Sequence, residues 1–252
     1  MQIKTFHKAL SEPVDAASLG FFRIAFGAIL FIEVCRFFEK GWVKQYFITP
    51  QFFFSYPGLE WIRPWPGNGM YWHFAFMGVA ALLLMLGIGS RIAAAALCLS
   101  FTYMFLIDRT HYLNHFYLIC LLAFQFSVVD ADRAFAILPQ AGPRSCIPRW
   151  QLLWPQFQLA VVYFFGGLAK LSPDWLAGEP MRLWLSASAL APGWKTNWLA
   201  YTLSYGGLVL DLFAVPLLLW RRSRMPAAAL LAGFHLFNAY FFRIGVFPWL
   251  ML

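Results

Sequence analysis

Seven apolar stretches, separated by loops of unequal length, govern what this chain can fold into. A bilayer-spanning helix needs about 20 mostly apolar residues. Stretches of that kind lie at 17–37, 70–89, 91–107, 112–130, 150–171, 198–220 and 225–242. Without water, each stretch must satisfy its backbone groups internally, and a helix does so. The expected fold is all-α, a polytopic transmembrane helix bundle of about seven membrane helices. The final short C-terminal apolar segment, 241–252, cannot span; it dips into the membrane or begins a further helix. Composition agrees: 61% of residues are hydrophobic and 12% charged, with mean hydropathy +0.63, whereas about a quarter of a soluble domain is charged.

Several classes are excluded. The net charge of +8 would suggest nucleic acid as the partner of a soluble protein. Here the basic residues sit in loops, and no basic face with interleaved aromatics occurs, so no nucleic acid partner is expected. Cys35, Cys98, Cys120 and Cys146 form no C-x-x-C and read as small buried hydrophobes. The polar N-terminus carries Glu12, Pro13 and Asp15 and lacks a cleavage site, so the first apolar run is expected to remain as a membrane helix. No internal repeat or low-complexity run is present. Residues 1–252 are expected to form a single membrane domain without a soluble C-terminal domain.

Orientation follows from Lys and Arg in the short loops. Lys4, Lys8, Arg91, Arg133, Arg144, Arg149, Arg221, Arg222 and Arg224 fall on one side, nine in all. Lys40, Lys44, Arg63, Arg182 and Lys195 fall on the other, five in all, or eight with Arg109, Lys170 and Arg243. The N-terminus is therefore expected in the cytoplasm. The 108–115 string and the Trp- and Pro-rich loops 38–69 and 170–197 then share the outer face, where such loops can cover a site.

Ionisable groups near membrane depth are costly and mark function. Asp108-Arg109-Thr110-His111-Tyr112-Leu113-Asn114-His115 joins the third stretch to the fourth. Asp108 and Arg109 can neutralise each other, or Arg109 can reach a headgroup. Asn114 and His115, one turn into the next helix, make the string a candidate site. Lys170 follows Gly166-Gly167 and precedes Asp174 by four residues, a possible helix-end ion pair. Asp211 lies deep in an apolar run and requires protonation or a partner, with Arg23 or Arg243 as candidates. His235 and Asn238 share a helix face, either as a packing pair or as part of the site. Glu33 and Arg36 can pair within the first helix. His111 and His115 are four apart, but no suitable further ligand is near apart from Asp108, so no metal is expected. H-E-x-x-H, P-loop and G-x-S-x-G patterns are absent.

The segment F-L-I-D-R-T-H-Y-L-N-H-F-Y-L at 105–118 resembles the signature of vitamin K-dependent γ-glutamyl carboxylases and of their bacterial relatives, the horizontally transferred transmembrane (HTTM) domain proteins. The likeness continues in A-F-Q-F at 123–126 and V-Y-F-F-G-G-L-A-K-L-S-P-D-W-L-A-G-E-P-M at 162–181. It extends through G-G-L-V-L-D-L at 206–212, F-H-L-F-N at 234–238 and I-G-V-F-P-W-L-M-L at 244–252. It thus covers most of the chain in order.

The resemblance implies an integral membrane enzyme of the bacterial inner membrane that uses a reduced quinone with O2 and CO2 to carboxylate Glu in a protein or peptide substrate. It also implies a Lys base after the Asp of the signature. Here that position is Arg109, which stays charged and is a poor proton acceptor, though it can hold an anion by a bidentate contact. The catalytic candidates are Arg109 as anion stabiliser, His115 as hydrogen-bond or proton partner and Lys170 as a substitute base. Asp108, Thr110, Asn114, Asp211, His235 and Asn238 are candidates for substrate or cofactor binding. The run Phe52 to Gly58 lacks a His that relatives often carry, and the large extramembrane domain of the carboxylases is not expected within residues 1–252. The alternatives are a non-carboxylating quinone- or lipid-binding membrane protein, a maturation factor with a soluble partner subunit, and a transporter. The transporter ranks lowest, because no inverted repeat is evident.

Overall fold

The computed structural model describes residues 2–138, 145–186, 196–242 and 244–252, without the side chains of 2–6 and 196. Arg144, Lys195, Arg243 and the side chain of Lys4, all used in the charge argument, lie outside the described residues. The chain is 74% helical with almost no sheet. It divides into two compact units, 1–155 and 156–252, with the division at Pro155 inside a helix.

The first unit opens with α1 (Gln2–Ser11) and a short strand β1 (Pro13–Asp15), then α2 (Ala17–Glu39), a π-helical turn at Lys44–Ile48, α3 (Gly69–Leu86), α4 (Ser90–Leu106) and α5 (Asn114–Val128). Strand β2 (Cys146–Pro148) pairs antiparallel with β1, and α6 (Arg149–Ala169) follows and runs into the second unit. Packing is sequential: α2 lies on α3, α3 on α4 and α4 on α5. In α2 the apolar residues divide between two surfaces. Leu19, Phe26, Leu30, Val34 and Phe37 are buried at helical spacing, while Phe21 and Ile32 are exposed. Trp72, Phe76, Ile92 and Leu99 are exposed on α3 and α4. A helix apolar on both its buried and its exposed surfaces suits a lipid surround rather than water. At Gly27 α2 and α3 come so close that a Cβ would stand 2.7 Å from the Met85 backbone nitrogen.

The tight hairpin read from Gly87, Gly89 and Ser90 is present, with Gly87 and Gly89 at φ +72° and +56°, a region that L side chains disfavour. Arg91 beside it pairs with Asp130 at 2.8 Å, Gln151 Nε2 donates to Asp130 at 2.9 Å, and Arg149 pairs with Glu12 at 2.5 Å. Glu12, the α3–α4 hairpin, Asp130 and the start of α6 therefore meet at one end of this unit.

The second unit holds the rest of α6, two short helices α7 (Pro173–Leu176) and α8 (Glu179–Ser186), then α9 (Thr196–Leu219), α10 (Arg224–Phe241) and the single turn α11 (Phe247–Leu250). Helices α8 and α10 pack on α9, and α11 on α10. The apolar C-terminal segment thus forms a turn against α10.

All seven expected stretches are helical, but they are not equal. Helices α2, α3, α6 and α9 are long and apolar enough to cross a membrane. Helices α4 and α5 are apolar but have 17 and 15 residues. The reason lies in the joint between them, which was expected at 108–111 and takes up 107–113 instead, so that each helix loses residues to it. Among the described cysteines only Cys120 is buried, and Cys35 and Cys146 are exposed, so the reading of all four as buried small hydrophobes does not hold.

Candidate functional site

The polar string of the first unit is a built turn. Asp108 adopts an extended backbone, and its Oδ1 accepts from the Thr110 backbone N–H at 2.9 Å and the Thr110 hydroxyl at 2.7 Å. Its Oδ2 faces His111 Nδ1 at 3.8 Å. Asp108 is thus spent on closing the turn and does not neutralise Arg109, contrary to one sequence reading. The reason is local: an Asp side chain reaches backbone two residues on more readily than a neighbouring guanidinium. The backbone N–H of Arg109 donates to the Phe54 carbonyl at 2.9 Å. This bond brings the string and the 38–69 loop together. The Arg109 side chain is exposed and lines a cavity of about 670 Å³ with Phe54, Glu60, Arg63 and Trp65.

Asn114 and His115 are the first two residues of α5 rather than a turn into it. His111 lies in the preceding 3-10 turn, so His111 and His115 do not share one helical face. Among the described residues, no three His, Cys, Asp or Glu side chains gather as a metal site. The His115 ring stacks edge-on against Phe116 at 5.0 Å and lies within reach of the Arg36 charge. Arg36 pairs with Glu33 at 2.8 Å, as the sequence suggested, and lies over Trp42 at 5.2 Å. Tyr56, whose hydroxyl is buried, has its pKa raised by that burial and then by Tyr112 and Asp108, with Arg109 opposing.

The second unit carries a tighter constellation. Lys170, just past the end of α6, donates from Nζ to Asp211 Oδ2 at 2.5 Å and to the Gly166 carbonyl at 3.2 Å. Its ammonium lies 5.1 Å above the Trp175 ring, a cation–π distance. Two sequence readings are corrected here. Lys170 pairs with Asp211 and not with Asp174, because α6 ends before 174 and the chain turns into α7. Asp211 finds Lys170, and not Arg23, whose donors all go to carbonyls elsewhere. The geometry depends on two glycines. A Cβ on Gly166 would stand 3.3 Å from Asp211 Oδ2, and one on Gly167 would stand 2.7 Å from Leu212 Cδ2.

Below this pair, the Tyr163 hydroxyl bridges His235 Nε2 at 2.7 Å and the Met251 carbonyl at 3.2 Å. His235 Nδ1 is buried and has no partner among the described residues. Asn238 is buried on the same face, but the hydrogen bond of His235 goes to Tyr163. Asp211 acts electrostatically on Tyr163, which links the two pairs. Of the sequence candidates, the structure therefore groups Lys170, Asp211, His235 and Asn238 in the second unit. It groups Asp108, Arg109, Thr110, Asn114 and His115 in the first. Tyr163 and Trp175 were missed. Tyr163 stands seven residues before Lys170, two helical turns on one face, and that spacing was the available signal.

No solved structure matches this chain. The family model of the HTTM domain, a domain found in the membrane region of vitamin K-dependent carboxylases, matches residues 11–252. That span takes in both constellations and every long helix, and the chain belongs to the HTTM domain family.

Proposed function

We propose that this protein is a quinone-dependent membrane enzyme of the carboxylase type, with the Lys170–Asp211 pair as its proton-handling centre. The observation that carries this reading is the 2.5 Å Lys170–Asp211 contact between glycine-bearing helices, beside the face of Trp175. In an apolar surround such a pair can exist as two ions or as neutral amine and carboxylic acid, because charge separation gains little there from solvent. In the neutral form the amine carries a lone pair and can take a proton from a ligand hydroxyl. The new ammonium then stands beside the ligand oxyanion and Asp211, which keeps its proton. Arg109 cannot serve in this way and remains an anion holder.

The orphaned His235 Nδ1, together with the buried Ser204 hydroxyl, offers hydrogen-bonding positions that suit the oxygens of a reduced quinone. A reduced quinone supplies the reducing equivalents that activate O2, and CO2 is the group added to a substrate Glu. Tyr163 fixes the His235 ring through Nε2, which leaves Nδ1 to the ligand. The reading keeps the cytoplasmic N-terminus, the seven-span count and a Glu-containing peptide partner as parts of the same proposal.

The test uses the purified full chain with reduced quinone, O2, labelled CO2 and a Glu peptide, measuring quinone epoxide and fixed label separately. Wild type should turn over, Lys170→Met should lose both products with its fold intact, and Arg109→Lys should retain them. No turnover in wild type with turnover in Arg109→Lys would sink the active-enzyme reading. No turnover in any variant would leave a non-carboxylating quinone- or lipid-binding protein.

A further inference from the structure

Apart from Arg109, the cavity of the first unit does not enter the reading above. It is lined by the loop that joins α2 to α3 and by Arg109 of the turn that joins α4 to α5, where the Arg109 backbone bonds to Phe54. A loop between apolar helices of membrane length sits at the level of the lipid headgroups. Its volume of about 670 Å³ is within the usual range for a small-ligand site. The wall chemistry is mixed in a specific way. Arg63 and Arg109 bring two guanidinium groups, and Glu60 brings one carboxylate.

These groups are held by local bonds. The Glu60 Oε1 accepts the Gly58 backbone N–H at 3.0 Å. Hydrogen bonds from its own backbone and from Gly58 hold this exposed carboxyl below its ordinary pKa. Tyr103 donates its hydroxyl to the Arg63 carbonyl, and its ring stacks on Trp65 at 5.3 Å. Phe52, Phe54 and Trp65 supply exposed aromatic surface around the opening, as side chains at a membrane interface do.

We infer that this cavity binds the headgroup of a phosphate–ammonium lipid, with Arg63 and Arg109 on the phosphate and Glu60 with the aromatic faces on the ammonium. Guanidinium forks match phosphate oxygens, and an ammonium is attracted both by a carboxylate and by aromatic rings. A purely anionic headgroup would leave Glu60 repelling it. The same chemistry could come from a water-soluble phosphate–ammonium compound. The lipid is the occupant favoured by the aromatic opening and by the position at the helix ends.

The experiment is native mass spectrometry of the full chain, delipidated in detergent and titrated with phosphatidylethanolamine or phosphatidylglycerol. No quinone is present, so the result stands apart from the enzyme assay. Wild type should retain phosphatidylethanolamine over phosphatidylglycerol by about fivefold or more. Arg63→Gln should weaken both lipids, and Glu60→Gln should bring the two into balance or reverse their order. Both residues lie in a loop, and a thermal midpoint equal to wild type would show that each variant is folded. Equal retention of the two lipids by wild type, or unchanged retention in Arg63→Gln, would overturn the inference. Displacement of the lipid by equimolar glycerophosphoethanolamine would overturn the lipid as occupant, and failure to displace it would support the lipid.

Discussion

Arg23 in the first unit and Lys170 in the second are both cations in or beside apolar helices, yet their surroundings match them in opposite ways. Arg23 is 0% exposed and has five N–H donors. Nε donates to Ala131, Nη1 to Leu84 and Met85, and Nη2 to Ala134 and Phe135, all at backbone carbonyls. Every donor is matched, and the group ties the end of α3 to the 131–135 segment. Lys170 keeps 18% of its side chain exposed. Its amine is matched to one carboxylate and one carbonyl and otherwise faces an aromatic ring. A buried charge whose capacity is fully used holds structure. One that keeps spare capacity, beside a group able to exchange its proton, is equipped for chemistry.

The largest effect that could break this contrast is on stability. Arg23→Met leaves five carbonyls without their donor, and it should destabilise the protein by about 3–5 kcal/mol, read as thermal unfolding in detergent. A loss below about 1 kcal/mol would remove Arg23 from its structural role. Removing Lys170 should act on the other axis. Lys170→Met should lower turnover by about 10²–10⁴-fold. The double variant Lys170→Met with Asp211→Leu should unfold close to wild type, since an apolar pair can replace a buried ion pair at little cost. A double variant as unstable as Arg23→Met would make the pair a structural element.

The two regions also differ in how much of them the sequence disclosed. The seven helices were legible because apolar runs impose helix wherever water is absent. The joint between the third and fourth was legible at 108–111, but its extent over 107–113 was not, because Asp108 closes its own turn by hydrogen bonds that composition does not display. Glu33 with Arg36 was legible as a local spacing. Lys170 with Asp211 was not, since 41 residues separate them and the nearer Asp174 was the better match along the chain. Arg23 read as a candidate partner of Asp211, but its five acceptors are backbone atoms, which every residue carries and no sequence pattern marks. Tyr163 was hidden among aromatics, although its seven-residue spacing from Lys170 could have singled it out.

A smaller effect sharpens the account of the second site. Gly167 and Gly206 both belong to Gly-Gly pairs in apolar helices, but only one is in close contact. A Cβ at Gly167 would meet Leu212 Cδ2 at 2.7 Å, Cγ at 2.8 Å and the backbone nitrogen at 3.0 Å, whereas nothing lies within 4 Å at Gly206. Gly167→Ala should therefore cost about 1–3 kcal/mol from overpacking and move Asp211 away from Lys170, lowering turnover as well. Gly206→Ala should be neutral or stabilise by up to about 1 kcal/mol through helix propensity. Equal responses in thermal unfolding would mean that the close α6–α9 approach does not set the pair.

The smallest effect tests whether Arg23 also governs its neighbour Asp132. This carboxyl lies in the 131–133 turn, is buried, and has one oxygen, Oδ1, without a hydrogen-bond partner among the described residues. Burial raises its pKa, and Asp130 adds to the rise. A hydrogen bond from its own backbone and the charges of Arg23 and Arg91 act against it. A raised folded value means that the folded state binds the proton more tightly than the unfolded chain. The contribution to stability is then present below the unfolded value of about 3.9 and is lost as pH rises through the folded value. Asp132→Asn removes this titration. Its thermal midpoint should exceed that of wild type slightly at pH 7, and the difference should shrink as pH falls through the folded value towards 4. A variant less stable than wild type at pH 7 would reverse the assignment. Attraction to Arg23 would then outweigh burial, and Arg23 would be acting through its charge as well as through its five carbonyls.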